Sequence, residues 1–155
     1  MKRLFLTSLL LACGATFATA FLALDRTLAR TLTDAKAHTR PTIVALWSTD
    51  CPHCKKNLEL FADMVKADAG LRLITVATEP LSAEVATSLN RIKTPGKRYV
   101  YGADSPEAIA FALDPKWRGE LPRTLFFDGR GNRIAVSGAV DRASMRKSLG
   151  LADPR

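Results

Sequence analysis

Residues 42–54 read TIVALWSTDCPHC, and this stretch decides the fold. The continuous apolar, partly β-branched run Thr42–Trp47 predicts a strand that is buried on both faces. A short turn leads to Cys51 and Cys54, and from Cys54 onward the apolar positions follow helical spacing. The sequence therefore predicts a strand, a turn and a helix, with two cysteines at the start of the helix.

The two cysteines at that position predict redox chemistry. The first sulfur of such a pair lies near unpaired N–H groups at the helix start, and these donors and the helix dipole favour the thiolate. We therefore assign Cys51 as the nucleophile that attacks a disulfide, and Cys54 as the cysteine that resolves the mixed disulfide. Pro52 suits the first helical turn, where it has no N–H to lose.

The neighbours of Cys51 modulate it in opposite directions. His53 brings partial or full positive charge to the pair, which favours the thiolate and an oxidising potential. Asp50 brings negative charge directly before Cys51 and works against its ionisation. The residues thus leave the direction of electron flow open.

The rest of the chain continues the alternation of strands and helices. The predicted elements are a strand over Leu71–Ala77, a helix from its cap at Ser82 to Ile92, a strand over Arg98–Tyr101, a helix from Pro106 to Leu113, strands over Thr124–Phe127 and Arg133–Val136, and a helix from Asp141 to near Gly150. Such a pattern predicts an α/β fold with a central mixed β-sheet flanked by helices.

Two separate motifs in this order resemble known proteins. Residues 47–55, with their Cys-Pro-His-Cys, resemble the active-site segment of the thioredoxin superfamily. Residues 121–128, Leu-Pro-Arg-Thr-Leu-Phe-Phe-Asp, are similar to the cis-proline segment of the TlpA-like (ResA-like) membrane-anchored thioredoxins. The resemblance implies a thioredoxin fold and a protein thiol–disulfide oxidoreductase, with Pro122 in cis and Leu121 offering backbone hydrogen bonds to substrate. An X–Pro bond is also the one kind for which a cis peptide is cheap.

The sequence departs from the family pattern at three places. Asp50 replaces the aromatic residue that usually precedes the first cysteine, and Ala45 stands where thioredoxins carry a buried acid. Glu79, at the end of the next strand, is a candidate substitute for that acid, although the simplest expectation for a strand-end residue is that it is solvated. The Pro-His dipeptide resembles that of the DsbA-type oxidants, whereas TlpA-like proteins are mostly reductants, and we expect reduction rather than oxidation.

The amino terminus predicts export. Lys2 and Arg3 precede 21 uncharged, mostly apolar residues, Leu4–Leu24. This segment has three interpretations: a retained membrane anchor, a signal peptide cleaved after residues 18–20 (Ala-Thr-Ala), or a lipoprotein signal ending at Cys13. All three place the domain outside the cytoplasm, on the periplasmic side and most simply tethered to the inner membrane. The expected organisation is residues 1–24 as anchor or signal, 25–40 as a helix or linker with His38 exposed, and 41–155 as the thioredoxin-like domain.

The composition of the chain limits the classes of partner and ligand that we expect for it. The net charge of +8 comes from basic residues scattered along the chain, without the dense stripe that nucleic-acid binding needs. We expect no metal, because a closed site needs four ligands, and no cofactor. The expected partners are protein thiols and disulfides, with a membrane protein as electron donor or acceptor. Two alternatives stay open: a redox-inactive binding module or chaperone, and a copper or zinc carrier using Cys51, His53 and Cys54.

Overall fold

A computed structural model describes residues 20–152. In chain order its elements are β1 (Phe21–Leu24), α1 (Arg26–Thr33), a short 3-10 turn (Ala35–Ala37), β2 (Thr42–Trp47), α2 (Pro52–Ala67), β3 (Arg72–Ala77), α3 (Ala83–Ile92), β4 (Lys97–Tyr101), α4 (Pro106–Leu113), β5 (Arg123–Phe127), β6 (Arg133–Ser137) and α5 (Arg142–Ser148).

The strands form one six-stranded mixed sheet in the order β1-β4-β3-β2-β5-β6. The first four strands of this order run parallel to their neighbours, whereas β5 is antiparallel to β2 and β6 is antiparallel to β5. This is the thioredoxin fold, and the predicted fold class is confirmed.

Strand β2 lies inside the sheet and is buried along its whole length, as its apolar run predicts. Alternate residues point to opposite faces. Ile43 and Trp47 pack under α2, α3 and α5 in one hydrophobic cluster, which we call the first core cluster. Val44 and Leu46 pack under α1 and α4 in a second cluster. Helices therefore cover both faces of the sheet.

The amino-terminal boundary of the fold differs from the expected one. The apolar run was expected to end at Leu24 outside the domain, but Phe21–Leu24 form strand β1 and pair with β4. Leu24 is fully buried, and its carbonyl accepts a hydrogen bond from the Gly102 N–H at 2.9 Å. The fold therefore includes residues from Phe21 onward, 20 residues before the expected position 41. Residues 1–19, which hold Cys13 and most of the expected anchor or signal, lie outside the described residues.

The segment 25–40, expected to be a helix or a linker, contains helix α1 and packs against the rest of the fold. Asp25 caps α1 by accepting a hydrogen bond from the Leu28 N–H at 2.7 Å. Ala29 and Leu32 of this helix are buried in the second cluster. Within residues 20–152, no helix combines the length and apolar character needed to cross a bilayer.

The expectation that His38 is exposed was wrong. Its side chain is buried, Nε2 lies 2.8 Å from the carbonyl of Leu32, and its ring centroid lies 4.0 Å from that of Phe127. Phe127 is almost ninety residues away in sequence, so no local pattern around His38 could reveal this contact. Burial lowers the pKa of His38. The hydrogen bond to the Leu32 carbonyl raises this pKa, whereas the nearby positive charge of Arg72 lowers it further.

We predict that His38 makes the stability of the protein depend on pH. The unfolded histidine gains a proton as the pH falls through about 6.5, while the folded, buried one stays neutral until a lower pH. The contribution of the buried, neutral His38 to the free energy of unfolding is therefore complete above about pH 6.5, and it is lost as the pH falls toward the pKa of the folded state. Urea unfolding between pH 7.5 and pH 5.5 should show this loss, and His38→Gln should flatten it.

The exposed His53 provides the matched control, because the chain contains only these two histidines. His53→Gln should keep the pH dependence of the parent protein. A dependence that disappears with His53→Gln and survives His38→Gln would contradict the assignment.

Candidate active site

The two cysteines form a disulfide at the start of α2. Cys51 is the N-cap residue, and its sulfur accepts a hydrogen bond from the Cys54 N–H at 3.1 Å. Pro52 occupies the first helical position, as predicted. The Cα atoms of the two cysteines are 5.2 Å apart, so one helical turn brings the sulfurs together. The local geometry thus places Cys51 where unpaired helix N–H groups stabilise a thiolate.

The two sulfurs differ in their access to solvent. Cys54 is 1% exposed and belongs to the first core cluster, whereas Cys51 is half-buried at its edge. Asp50, Pro52 and His53 around the pair are all exposed. A partner protein can therefore reach Cys51 but not Cys54, which is the asymmetry that a nucleophile and a resolving cysteine require.

The loop before β5 lies at the same edge of the sheet. The peptide bond between Leu121 and Pro122 is cis, which confirms that prediction. Arg123 pairs with Leu46 in the antiparallel register of β5 and β2, so residues 121 and 122 lie beside the end of β2 from which the chain continues to Cys51. Leu121 and Cys51 both pack against the first core cluster. The disulfide and the cis-proline loop therefore form one site.

A buried amide that the sequence analysis missed ties this site together. Asn57, one turn after Cys54 and 4% exposed, donates to the Gly138 carbonyl at 3.1 Å and accepts from the Val140 N–H at 3.2 Å. The Gly138 N–H in turn donates to the Pro122 carbonyl at 2.8 Å. Gly138 has φ of +90°, a conformation that favours glycine. The helix that carries the cysteines is thereby connected to the cis-proline loop.

We predict that Asn57→Leu destabilises the protein by about 1–3 kcal/mol, because it leaves the partly buried Gly138 carbonyl and Val140 N–H without their partner. Urea unfolding at pH 7 measures this loss. Asn57→Asp keeps the acceptor for Val140, and at low pH its protonated carboxyl can also donate to the Gly138 carbonyl, so in a low-pH series this variant should be more stable than Asn57→Leu. A leucine variant as stable as the parent would show that the amide does not hold these segments.

Glu79 has a different environment from the one expected. It is half-buried at the end of β3, and its two carboxylate oxygens accept hydrogen bonds from the Thr49 N–H at 2.6 Å and the Thr49 hydroxyl at 3.1 Å. Thr49 follows β2 and Glu79 follows β3, and the carboxyl ends of these parallel strands lie side by side. This placement is the sequence signal that could have predicted the contact. Glu79 thus fixes the turn that precedes Cys51 and is not simply solvated.

An ionic cluster supports the other side of the cis-proline loop. Asp114 is buried and binds Arg123 at 2.6 Å and Arg133 at 3.1 Å. Burial alone would raise the pKa of Asp114, but hydrogen bonds from Arg123 and the Lys116 N–H, together with the two guanidinium charges, hold it below its usual value. Arg123, which directly follows Pro122, is therefore held in place.

Metal-binding residues are not clustered in the part of the chain that the structure describes. Within residues 20–152, no three side chains of His, Cys, Asp or Glu type lie close enough together to hold an ion.

A Cys-x-x-Cys disulfide at a helix start, beside a cis-proline loop on the same edge of a mixed sheet, defines a thiol–disulfide oxidoreductase of the thioredoxin fold. A family model described as a thioredoxin-like domain matches residues 28–152, and the chain belongs to this family. No curated protein sequence matches the chain.

Solved structures of similar fold carry related descriptions. A secreted Mycobacterium tuberculosis disulfide oxidoreductase, homologous to Escherichia coli DsbE, matches with a TM-score of 0.56 and 14% identity over 73% of this chain and 82% of its own. A thioredoxin-related protein from Neisseria meningitidis serogroup B matches with a TM-score of 0.57 and 20% identity over 72% and 84%. A thiol:disulfide interchange protein from Chlorobium tepidum matches with a TM-score of 0.58 and 20% identity over 75% and 80%. These likenesses support the fold.

Proposed function

We propose that the protein reduces disulfides in protein substrates outside the cytoplasm. The observation that carries the proposal is the Cys51–Cys54 disulfide, with one accessible and one buried sulfur, beside the cis-proline loop.

In the reduced protein, the Cys51 thiolate attacks one sulfur of a substrate disulfide. A Cys51–substrate disulfide forms, and the other substrate sulfur leaves as a thiolate that takes up a proton. The Cys54 thiolate then attacks the Cys51 sulfur, which releases the second substrate thiol and closes the Cys51–Cys54 disulfide. The substrate gains two electrons and the protein loses two. A dithiol donor, which we assign to a membrane protein, restores the reduced pair.

The cis-proline loop is the proposed place where substrate backbone binds. Among the described residues, the hydrogen bonds outside the helices and strands do not use the backbone N–H or carbonyl of Leu121. An extended substrate segment beside Cys51 can pair with these groups in the manner of an added strand. Pro52 and His53, both exposed, form the opposite side of this contact.

The location of the protein is part of the same proposal. The positive pair Lys2 and Arg3, followed by an apolar segment, supports export and tethering on the periplasmic side of the inner membrane. One of the solved structures of similar fold is of a protein described both as secreted and as homologous to DsbE. Since β1 includes Phe21, cleavage after Ala20 would leave the folded domain whole.

The direction of electron flow is tested by the redox potential of the Cys51–Cys54 couple, equilibrated with glutathione and read by mass after alkylation. For a reductant we predict a potential near that of thioredoxin, about −270 mV. A potential near that of the oxidant DsbA, about −120 mV, would contradict reduction while leaving disulfide exchange intact.

A further inference from the structure

A cavity of about 510 Å³ lies at the end of the sheet opposite to the disulfide. Cys51 follows the carboxyl end of β2, whereas the cavity lies beside the first residues of β3 and β4, Arg72 and Lys97. Because β2, β3 and β4 are parallel, the cavity lies at the amino ends of these strands and Cys51 lies at their carboxyl ends. The cavity is therefore separate from the redox site.

The lining of this cavity combines an apolar wall with cations. Apolar and aromatic side chains come from Leu28, Leu32, Ile74 and Tyr99, and the cations are Arg40, Arg72 and Lys97. The lining includes no carboxylate, and none of the three cations forms an ion pair with an acid of residues 20–152. Concave apolar sites with a few converging charges are typical of small-molecule sites. The charges here select an anion that also carries hydrocarbon.

His38 also lines the cavity, and it carries a buried polar atom that has no hydrogen-bond partner among the described residues. Its side chain is 5% exposed, and Nε2 is occupied by the Leu32 carbonyl at 2.8 Å. Because Nε2 must carry the proton to donate to that carbonyl, Nδ1 is a buried acceptor, and the described residues supply no donor to it. Burying such an acceptor without a donor costs free energy.

The layout of the chain favours a ligand from a membrane surface. Phe21, the first residue of β1, pairs with Arg98 next to Lys97, so the apolar amino-terminal segment joins the fold beside this cavity. This orientation rests on the membrane tethering proposed above: a domain held at Phe21 has the cavity toward the bilayer and Cys51 away from it.

We propose that the cavity binds an anionic phospholipid. Its acyl carbons contact Leu28, Leu32 and Ile74, and its acidic head group binds Arg40, Arg72 and Lys97. Binding orients the domain so that the disulfide faces away from the membrane, toward partner proteins.

Native mass spectrometry of the full chain tests this proposal. The protein in an uncharged detergent is offered equal amounts of phosphatidylglycerol and phosphatidylcholine, with dodecanoate in a separate arm. We expect one phosphatidylglycerol adduct, favoured about tenfold or more over phosphatidylcholine because of the basic side chains. Arg72→Gln/Lys97→Gln should remove this preference, whereas the charge-matched Arg118→Gln/Arg142→Gln, at exposed positions away from the cavity, should keep it.

Three outcomes would overturn the proposal: equal binding of both phospholipids by the parent protein, equal loss in the two double variants, or dodecanoate binding that matches phosphatidylglycerol. The first comparison uses the unchanged chain and does not depend on the folding of a variant. The lipid readout is independent of disulfide exchange, so its failure is distinguishable from a failure of the proposed redox function.

Discussion

Replacing Cys51 with serine should reduce disulfide exchange by at least about 1,000-fold, since the substitution removes the nucleophile itself. The serine hydroxyl is a far weaker nucleophile than a thiolate at neutral pH, and Cys54 is 1% exposed and cannot replace Cys51 at the surface. Insulin reduction by the purified chain, with dithiothreitol as the electron source, measures the effect.

The third cysteine of the chain, Cys13, supplies the matched control. Cys13→Ser in the purified protein should leave insulin reduction unchanged, because the Cys51–Cys54 disulfide and the cis-proline loop do not include Cys13. Substantial activity in Cys51→Ser would remove the case for a redox enzyme. A protein that binds its partners equally well with both Cys51 and Cys54 changed to serine would instead be a binding module.

The second large effect is expected in the core beneath the active-site helix. Phe61 of α2 is fully buried in the first core cluster, and its ring meets that of Phe126 edge-on with centroids 6.1 Å apart. Phe61→Ala should reduce the free energy of unfolding by about 3–5 kcal/mol, because it removes buried apolar surface and leaves a cavity. Urea unfolding followed by circular dichroism measures this change.

Phe111 is a control of the same residue type. It lies on α4 with 63% of its surface exposed, so Phe111→Ala should change the free energy of unfolding by less than about 0.5 kcal/mol. Equal effects at positions 61 and 111 would show that the core does not lie where the structure places it.

The sequence alone predicted the redox pair and the strand and helix units from Thr42 onward. Local sequence patterns indicate these elements. Strand β2 is a continuous apolar run, and the side chains that cap α3, α4 and α5 belong to Ser82, Ser105 and Asp141. The cis bond before Pro122 was predicted from its resemblance to a family motif. Local patterns and a motif were sufficient for these features.

Features that depend on distant contacts were missed. Strand β1 has four residues, two of them exposed, and continues an apolar run that resembles a targeting segment, so only its pairing with β4 reveals it. The environment of His38 depends on Phe127, and that of Asn57 on Gly138 and Val140. The sequence places Glu79 at a strand end, but pairing it with Thr49 requires knowing that β2 and β3 are parallel neighbours in the sheet.

The covalent intermediate tests the central claim most directly. Cys54→Ser should stop the reaction after the first attack, because the resolving thiol is absent, and should hold the substrate on Cys51 as a mixed disulfide. Incubation of this variant with a disulfide-bonded protein, followed by non-reducing electrophoresis and peptide mass analysis, identifies the linked cysteine. We predict a complex that is joined to the substrate through Cys51 and that dithiothreitol separates by reducing the mixed disulfide. A complex joined through Cys13, or no complex at all, would contradict the account.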